Sequence, residues 1–186
     1  MDTRNALINE ATHLVRRSGY AGFSYAHLSE VVGIRKASIH YHFPNKEDLG
    51  FEMVEAYREF FRGELETISA REDSAKNRLA AYADLYRQSL QDGDGCLCGV
   101  LAAEFDNLPV AVQAAIAQFF AENAAWLEGV LLAGRRDGSI RRDISATKLA
   151  RMLLATLQGA LTTARAHVQP AVFDDAVAAA VAAIKA

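Results

Sequence analysis

Between Ser24 and Lys46 the chain reads as two short helices joined by a tight turn and followed at once by the cap of a long helix. In order the residues are Ser24-Tyr25-Ala26-His27-Leu28-Ser29-Glu30-Val31-Val32, Gly33-Ile34-Arg35, Lys36-Ala37-Ser38-Ile39-His40-Tyr41-His42-Phe43 and Pro44-Asn45-Lys46. The Ser24 hydroxyl suits an N-cap, Leu28, Val31 and Val32 keep helical spacing, and Gly33 suits the positive φ that a turn between two helices needs. Ile39 and Phe43 recur at i and i+4 and anchor the second helix from behind. That leaves Lys36, Ser38, His40, Tyr41 and His42 as hydrogen-bonding side chains with cationic support, on a helix that fits a DNA major groove.

Every other segment also reads as helix, and none shows sustained period-two alternation, so the predicted fold is all-α with about nine helices. Leu7, Ala11, Leu14 and Val15 form the stripe of the first, which is expected to end at Ser18-Gly19 in a left-handed cap. Asn45 caps a long fourth helix whose apolar face is Leu49, Met53, Tyr57, Phe60, Phe61, Leu65 and Ile68. A fifth is expected over about 73–91, a short sixth from Cys96 to Phe105, a seventh from Pro109 to about Arg136, an eighth capped by Ser145 and a ninth opened by Pro170. Residues 1–48 therefore read as a three-helix head and 49–186 as a helical body, to which the resemblance given below assigns effector binding and dimerisation. The last two helices are Ala-rich, with Leu149, Met152, Leu153, Leu157, Ala160 and Leu161 on one and Phe173, Val177, Ala180, Val181 and Ile184 on the other. Small residues allow close approach, either to the body's own core or to a symmetry mate in a four-helix bundle.

With 51% apolar residues in 186, the chain can build a sizeable core. It has neither an 18-residue apolar run nor an apolar N-terminal signal segment, and its two Cys stand one residue apart, so a cytoplasmic protein without membrane contact is expected. The net charge of −3 divides unevenly: residues 1–50 carry 6 Lys+Arg against 5 Asp+Glu, leaving 14 against 18 for the rest, and four of the five His lie in the first 50. The asymmetry has the sign nucleic acid requires but is small, so the motif and not the charge carries the DNA reading.

From Gly19 to Leu49 the chain resembles the TetR family of one-component bacterial repressors. The matching features are the Gly ending the first helix, a hydroxyl opening the second, Gly-hydrophobic in the turn, the small pair Ala37-Ser38, the Tyr-x-His-Phe-like run and a Lys before Leu49. Where the family usually has Tyr this chain has His40, shorter and only partly charged at neutral pH, with Tyr41 next. The resemblance implies that Lys36, Ala37, Ser38 and Tyr41 face base edges or sugars of a palindromic operator. It places Ser24, Tyr25, His40 and His42 near phosphates and Lys46 on a phosphate at the start of the fourth helix; Arg35 is a further phosphate candidate. Gly138-Ser139-Ile140-Arg141-Arg142-Asp143 also resembles the family's connection before the eighth helix, and the family implies a homodimer.

Cys96 follows the Gly-rich break Asp92-Gly93-Asp94-Gly95 and opens the sixth helix, where partial positive charge favours a thiolate and Asp94 opposes it. Gly95-Cys96-Leu97 with Ala103-Glu104 and Asp106 resembles the electrophile- and oxidant-sensing subset of the family, of which the N-ethylmaleimide reductase repressor is an example, which implies a sensor role for Cys96. Cys98 reads as a small apolar core residue, with a place beside Cys96 in the effector or sensor site as the alternative. No second ligand pair makes Cys-x-Cys a metal site, no cofactor is expected, and Cys96, His167 and Asp106 match no hydrolase motif. The family's pocket implies effector contacts from Phe60, Tyr82, Tyr86, Phe105, Phe119, Trp126 and Arg165, although aromatics at helical spacing also serve as core. The expected function is a repressor released by a small molecule or by modification of Cys96. A purely non-covalent regulator with structural cysteines is the alternative within the class, and a helical enzyme or ligand-binding bundle the alternative outside it.

Overall fold

The computed structural model describes residues 2–186. Among them the chain forms α1 (Thr3–Gly22), α2 (Tyr25–Val32), α3 (Lys36–His42), α4 (Lys46–Arg71), α5 (Ala75–Gln91), α6 (Leu97–Ala102), a 3-10 turn (Phe105–Asn107), α7 (Val110–Arg136), α8 (Ala146–His167) and α9 (Pro170–Ile184). The only extended pairing among the described residues is one antiparallel bridge, Ile140 with Lys185. No helix there is long and apolar enough to cross a membrane.

Local chemistry sets most boundaries. Ser24, Ser74 and Ser145 accept hydrogen bonds from the backbone N–H groups of His27, Asn77 and Lys148, and Asn45 Oδ1 accepts from Asp48 N at 2.8 Å. Gly33 closes α2 at φ 73°, ψ 27°, the left-handed cap the sequence requires. The Pro109 carbonyl accepts the first bond of α7 from Gln113 N, which puts the proline just outside the helix. Two boundaries differ from expectation. α1 does not end at Gly19: that residue has positive φ (77°) but extended ψ (169°), so it breaks the helix and a further turn follows to Gly22. α6 stops at Ala102, short of Phe105, because the N–H groups of Ala103 and Glu104 bond back to Val100 O and Leu101 O and tighten the backbone.

The described residues divide into two compact units, 2–61 with 97–119 and 62–96 with 120–186. α6 and the start of α7 belong to the unit of the N-terminal helices. In the first unit α1 lies against α2 and α6, and α2 against α3. Leu7, Ala11 and Val15, Leu28, Ile39 and Phe43, Leu49, Met53, Tyr57 and Phe61, Leu97, Cys98 and Leu101, and Phe119 are buried there. Phe60, assigned to the same face of α4, is instead 55% exposed, since the buried stripe passes through its neighbours Tyr57 and Phe61. The second unit is built on α8 packed against α9, with α5 against both. Ala160 is buried and Val181 half-buried within this unit, so both serve its own core; Met152, on the same Ala-rich helix as Ala160, is exposed.

Candidate nucleic-acid interface and effector site

In the first unit α3 is held from beneath and open above. Ile39 and Phe43 are fully buried, whereas Arg35, Lys36, Ala37, Ser38 and His40 are exposed and Tyr41 is 83% exposed, with its ring edge-on to His42 at 5.2 Å. An 83% exposed tyrosine on a short helix is available for a partner. Arg35 precedes the first residue of α3 without a side-chain cap bond, and its guanidinium is free to point outward. His40 is turned sideways: its ring stacks edge-on against Tyr25 at 4.9 Å, and Nδ1 lies 3.2 Å from Pro44 O, to which it donates in the Nδ1–H tautomer.

Three of the expected phosphate contacts have their polar groups engaged inside the fold. Ser24 Oγ caps α2. The Tyr25 hydroxyl is aimed at the carbonyls of Phe43 and Asn45, 3.0 and 2.5 Å away, and burial, with Asp48 and Tyr20 adding, pushes its pKa up to about 12. It pins the α3–α4 connection. The Lys46 ammonium donates to Tyr20 O at 2.6 Å and sits 4.3 and 5.2 Å from the ring centroids of Tyr20 and Phe23. Burial lowers its pKa, against an opposing pull from Glu104. The Tyr20 hydroxyl returns a bond to Lys46 O at 3.1 Å. Sequence reading missed this knot because Tyr20 and Lys46 lie on different helices.

In the second unit a buried polar chain runs through the core. Tyr82 donates to Asn123 Oδ1 at 2.8 Å, and its hydroxyl lies 3.2 Å from that of Tyr86. Gln158 Nε2 reaches the Tyr86 hydroxyl and Cys96 Sγ, both at 3.3 Å. Burial foremost, with the nearby Cys96 adding, raises the Tyr82 pKa against the lowering effect of the Tyr86 hydrogen bond. Trp126 tilts over Tyr82 at 5.4 Å and donates to Ser69 Oγ at 2.9 Å. The structure thus brings together Cys96, Tyr82, Tyr86 and Trp126 and adds Asn123 and Gln158, which sequence reading passed over. Their signal was a polar residue at an apolar helix position, between Phe119 and Leu127 and between Leu154 and Leu161. Cys96 is buried and immediately precedes α6, a helix of six residues.

The other effector candidates do not converge on this chain of bonds. Phe60 and Phe105 are exposed, and Phe119 packs on Tyr57 and Phe61 in the first unit. Cys98, also buried, belongs to that unit as well. Arg165 lines a separate groove of about 560 Å³ with Leu90, Gly93 and Pro170. A second groove of about 580 Å³ lies between α7 and α8, lined by Phe120, Ala124, Glu128, Arg151, Leu154 and, where it meets the polar chain, Gln158.

Comparison with known proteins decides the class. Residues 7–53 match the bacterial regulatory proteins of the tetR family, and residues 75–180 match the tetracyclin repressor-like C-terminal domain. The chain belongs to the TetR family. It is 30% identical over 162 residues, 85% of this chain and 80% of the relative, to the HTH-type transcriptional repressor DhaR of Mycobacterium sp. (strain GP1). A TetR-family regulator from Agrobacterium tumefaciens superposes with a TM-score of 0.95 at 33% identity, over 98% of this chain and 97% of that one. Escherichia coli NemR in its reduced form gives 0.86 at 25% identity, over 100% and 98%. As a TetR-family protein the chain is a helix-turn-helix, DNA-binding transcriptional regulator and not an enzyme; the family binds operator DNA and forms homodimers that respond to small molecules.

Proposed function

We propose that this TetR-family regulator is a cytoplasmic homodimeric repressor that sets its two α3 helices into successive major-groove faces of a palindromic operator. The observation that carries the reading is the pairing of a fully buried Ile39 and Phe43 with an exposed Lys36-Ala37-Ser38 and Tyr41 on the same helix. Lys36, Ser38 and Tyr41 read base edges, and Ala37 makes apolar contact. Arg35, His42 and the exposed edge of His40 meet phosphates, with Ser24, Tyr25 and Lys46 shaping the surface between them. Two half-sites about 34 Å apart match a two-fold dimer. Tyr41→Ala is expected to weaken operator binding about tenfold and to alter preference among operator variants, whereas Arg35→Ala weakens all sequences alike and lowers the salt slope by about one. Fluorescence anisotropy over a salt series checks this; Tyr41→Ala with wild-type affinity and preference would remove α3 from the interface.

Effector release is assigned to the second unit. A ligand acts only by binding one head separation better than the other, and the Cys96–Gln158–Tyr86–Tyr82–Asn123 chain is a connected polar network that a ligand at one end would disturb. The thiol of Cys96 adds across the activated C=C bond of an electrophile that enters through the α7–α8 groove: Sγ bonds to the β-carbon as the π bond breaks, and the thiol proton is delivered to the α-carbon by way of solvent. The adduct cannot be packed beside Gln158 without displacing it, and overpacking of roughly 1–3 kcal/mol matches typical allosteric coupling energies. That the NemR structure is described as a reduced form makes a redox arm worth testing here. Cys96→Ser is expected to bind operator normally and to resist release by N-ethylmaleimide or quinones, while Cys98→Ser stays responsive. Equal release of Cys96→Ser and wild type would leave the non-covalent effector as the reading.

A further inference from the structure

We propose that Glu104 is a positioning residue for operator binding: it ties the segment after α6 to the corner where α1 meets α4 and so fixes the orientation of α3. The break at Gly19 frees two consecutive backbone donors that an unbroken helix would have used internally. Glu104 takes both, Oε1 from Tyr20 N at 2.8 Å and Oε2 from Ala21 N at 2.9 Å, a two-pronged arrangement of charge-assisted bonds. Gly19 is required for the fit, since a Cβ there would lie 2.2 Å from Oε1, and its positive φ would itself be strained for any other residue.

The tie does not end at α1. Tyr20 is gripped at both faces of one residue, its N–H by Glu104 and its carbonyl by the Lys46 ammonium, while its hydroxyl holds Lys46 O. Lys46 is the first residue of α4, Phe43 closes α3 three residues earlier, and Tyr25 pins the carbonyls of Phe43 and Asn45 in between. Each bond from Glu104 to the base of α3 therefore joins a backbone atom to a side chain, those of Glu104, Lys46, Tyr20 and Tyr25 in turn, so the path from the segment after α6 to the end of α3 is continuous. A helix of only seven residues has little stability of its own, so its presentation depends on this frame. Loosening the frame adds ordering cost to each binding event and weakens affinity without removing any DNA contact. The inference rests on α3 being the DNA-reading helix.

The test uses the full-length protein and a duplex selected by the wild type from a random library. In Glu104→Gln the amide Nε2 cannot accept the second N–H, so one bond is replaced by a donor facing a donor. The expected result is operator affinity about tenfold weaker at 25 °C, where the variant is fully folded and dimeric, with an unchanged salt slope and faster amide exchange confined to Tyr20 and Ala21. A role in fold stability alone would lower Tm and leave that affinity untouched. Unchanged or tighter affinity would overturn the proposal, as would unaltered exchange at the two amides. Lys36→Ala and Tyr41→Ala are measured alongside: if both keep wild-type affinity, α3 does not read DNA and the proposal falls with it. If either weakens binding and Glu104→Gln does not, only the tie falls. Should Glu104→Gln not fold, exchange on the wild type decides: protection of Tyr20 and Ala21 in the operator complex supports the tie, and fast exchange there overturns it.

Discussion

Gly159→Arg is expected to separate the homodimer into folded monomers and to lower operator affinity by roughly a hundredfold or more, because two linked half-sites gain avidity of that order. Gly159 lies on the outer side of α8 among Ala155, Thr163 and Ala166, all exposed, and α9 shows Ala171, Ala178 and Ala182 outward. Small side chains on adjacent helices let a second copy approach closely, which an arginine would block without a clash inside the isolated subunit: apart from its own helix backbone and chain neighbours, no atom lies within 4 Å of a Cβ at 159. Sedimentation velocity and anisotropy on the same sample check it, and an intact dimer would move the interface off this face. Ala160 and Val181 would have been misleading choices. Both face the subunit's interior, so a charge at either would unfold the chain and mimic loss of dimerisation.

Alanine at Gly134 is expected to destabilise the protein by about 2 kcal/mol, lowering Tm by about 5 °C, although alanine is the better helix former. A Cβ there would sit 2.4 Å from Ile140 Cγ1 and 2.8 Å from Ala75 Cβ, atoms fixed by their own packing. Gly134 O also accepts from Ser139 and Ile140, which fold back over it after Gly138. Gly129→Ala, five residues earlier on the same helix with nothing within 4 Å, is expected to do the opposite, raising stability by about 1 kcal/mol and Tm by about 3 °C. Thermal melts of the pair check the contrast. A rise in Tm for Gly134→Ala would mean that the Ile140 turn does not pack where described.

The local features of the fold could be read from the chain because they depend on neighbours in sequence. Ser24, Asn45 and Ser145 cap helices a hydroxyl or amide away from the donors they serve, and Gly33 supplies a left-handed turn that few other residues adopt. The buried and exposed sides of α3 likewise followed from Ile39 and Phe43. Less could be read where periodicity gives a stripe without saying where it stops. Phe60 and Met152 sit at the margins of apolar faces and point out, and Phe105 lies in a 3-10 turn that helical spacing does not describe.

What the sequence determined by itself is therefore the class of the chain: all-α, with a helix-turn-helix that reads DNA, since helix caps, turn glycines and the pattern of a two-helix motif are short-range and sum independently of the rest. What only the tertiary structure decided is which polar groups remain available. Lys46 and Tyr25 look like phosphate ligands in a list of residues, but one grips Tyr20 O and the other the Phe43 and Asn45 carbonyls. Glu104 finds its partners 83 and 84 residues away, and Gln158 reaches Cys96 across 62. A buried donor or acceptor must be paired, and the partner that satisfies it is set by which helices pack together, a long-range outcome that no local pattern encodes.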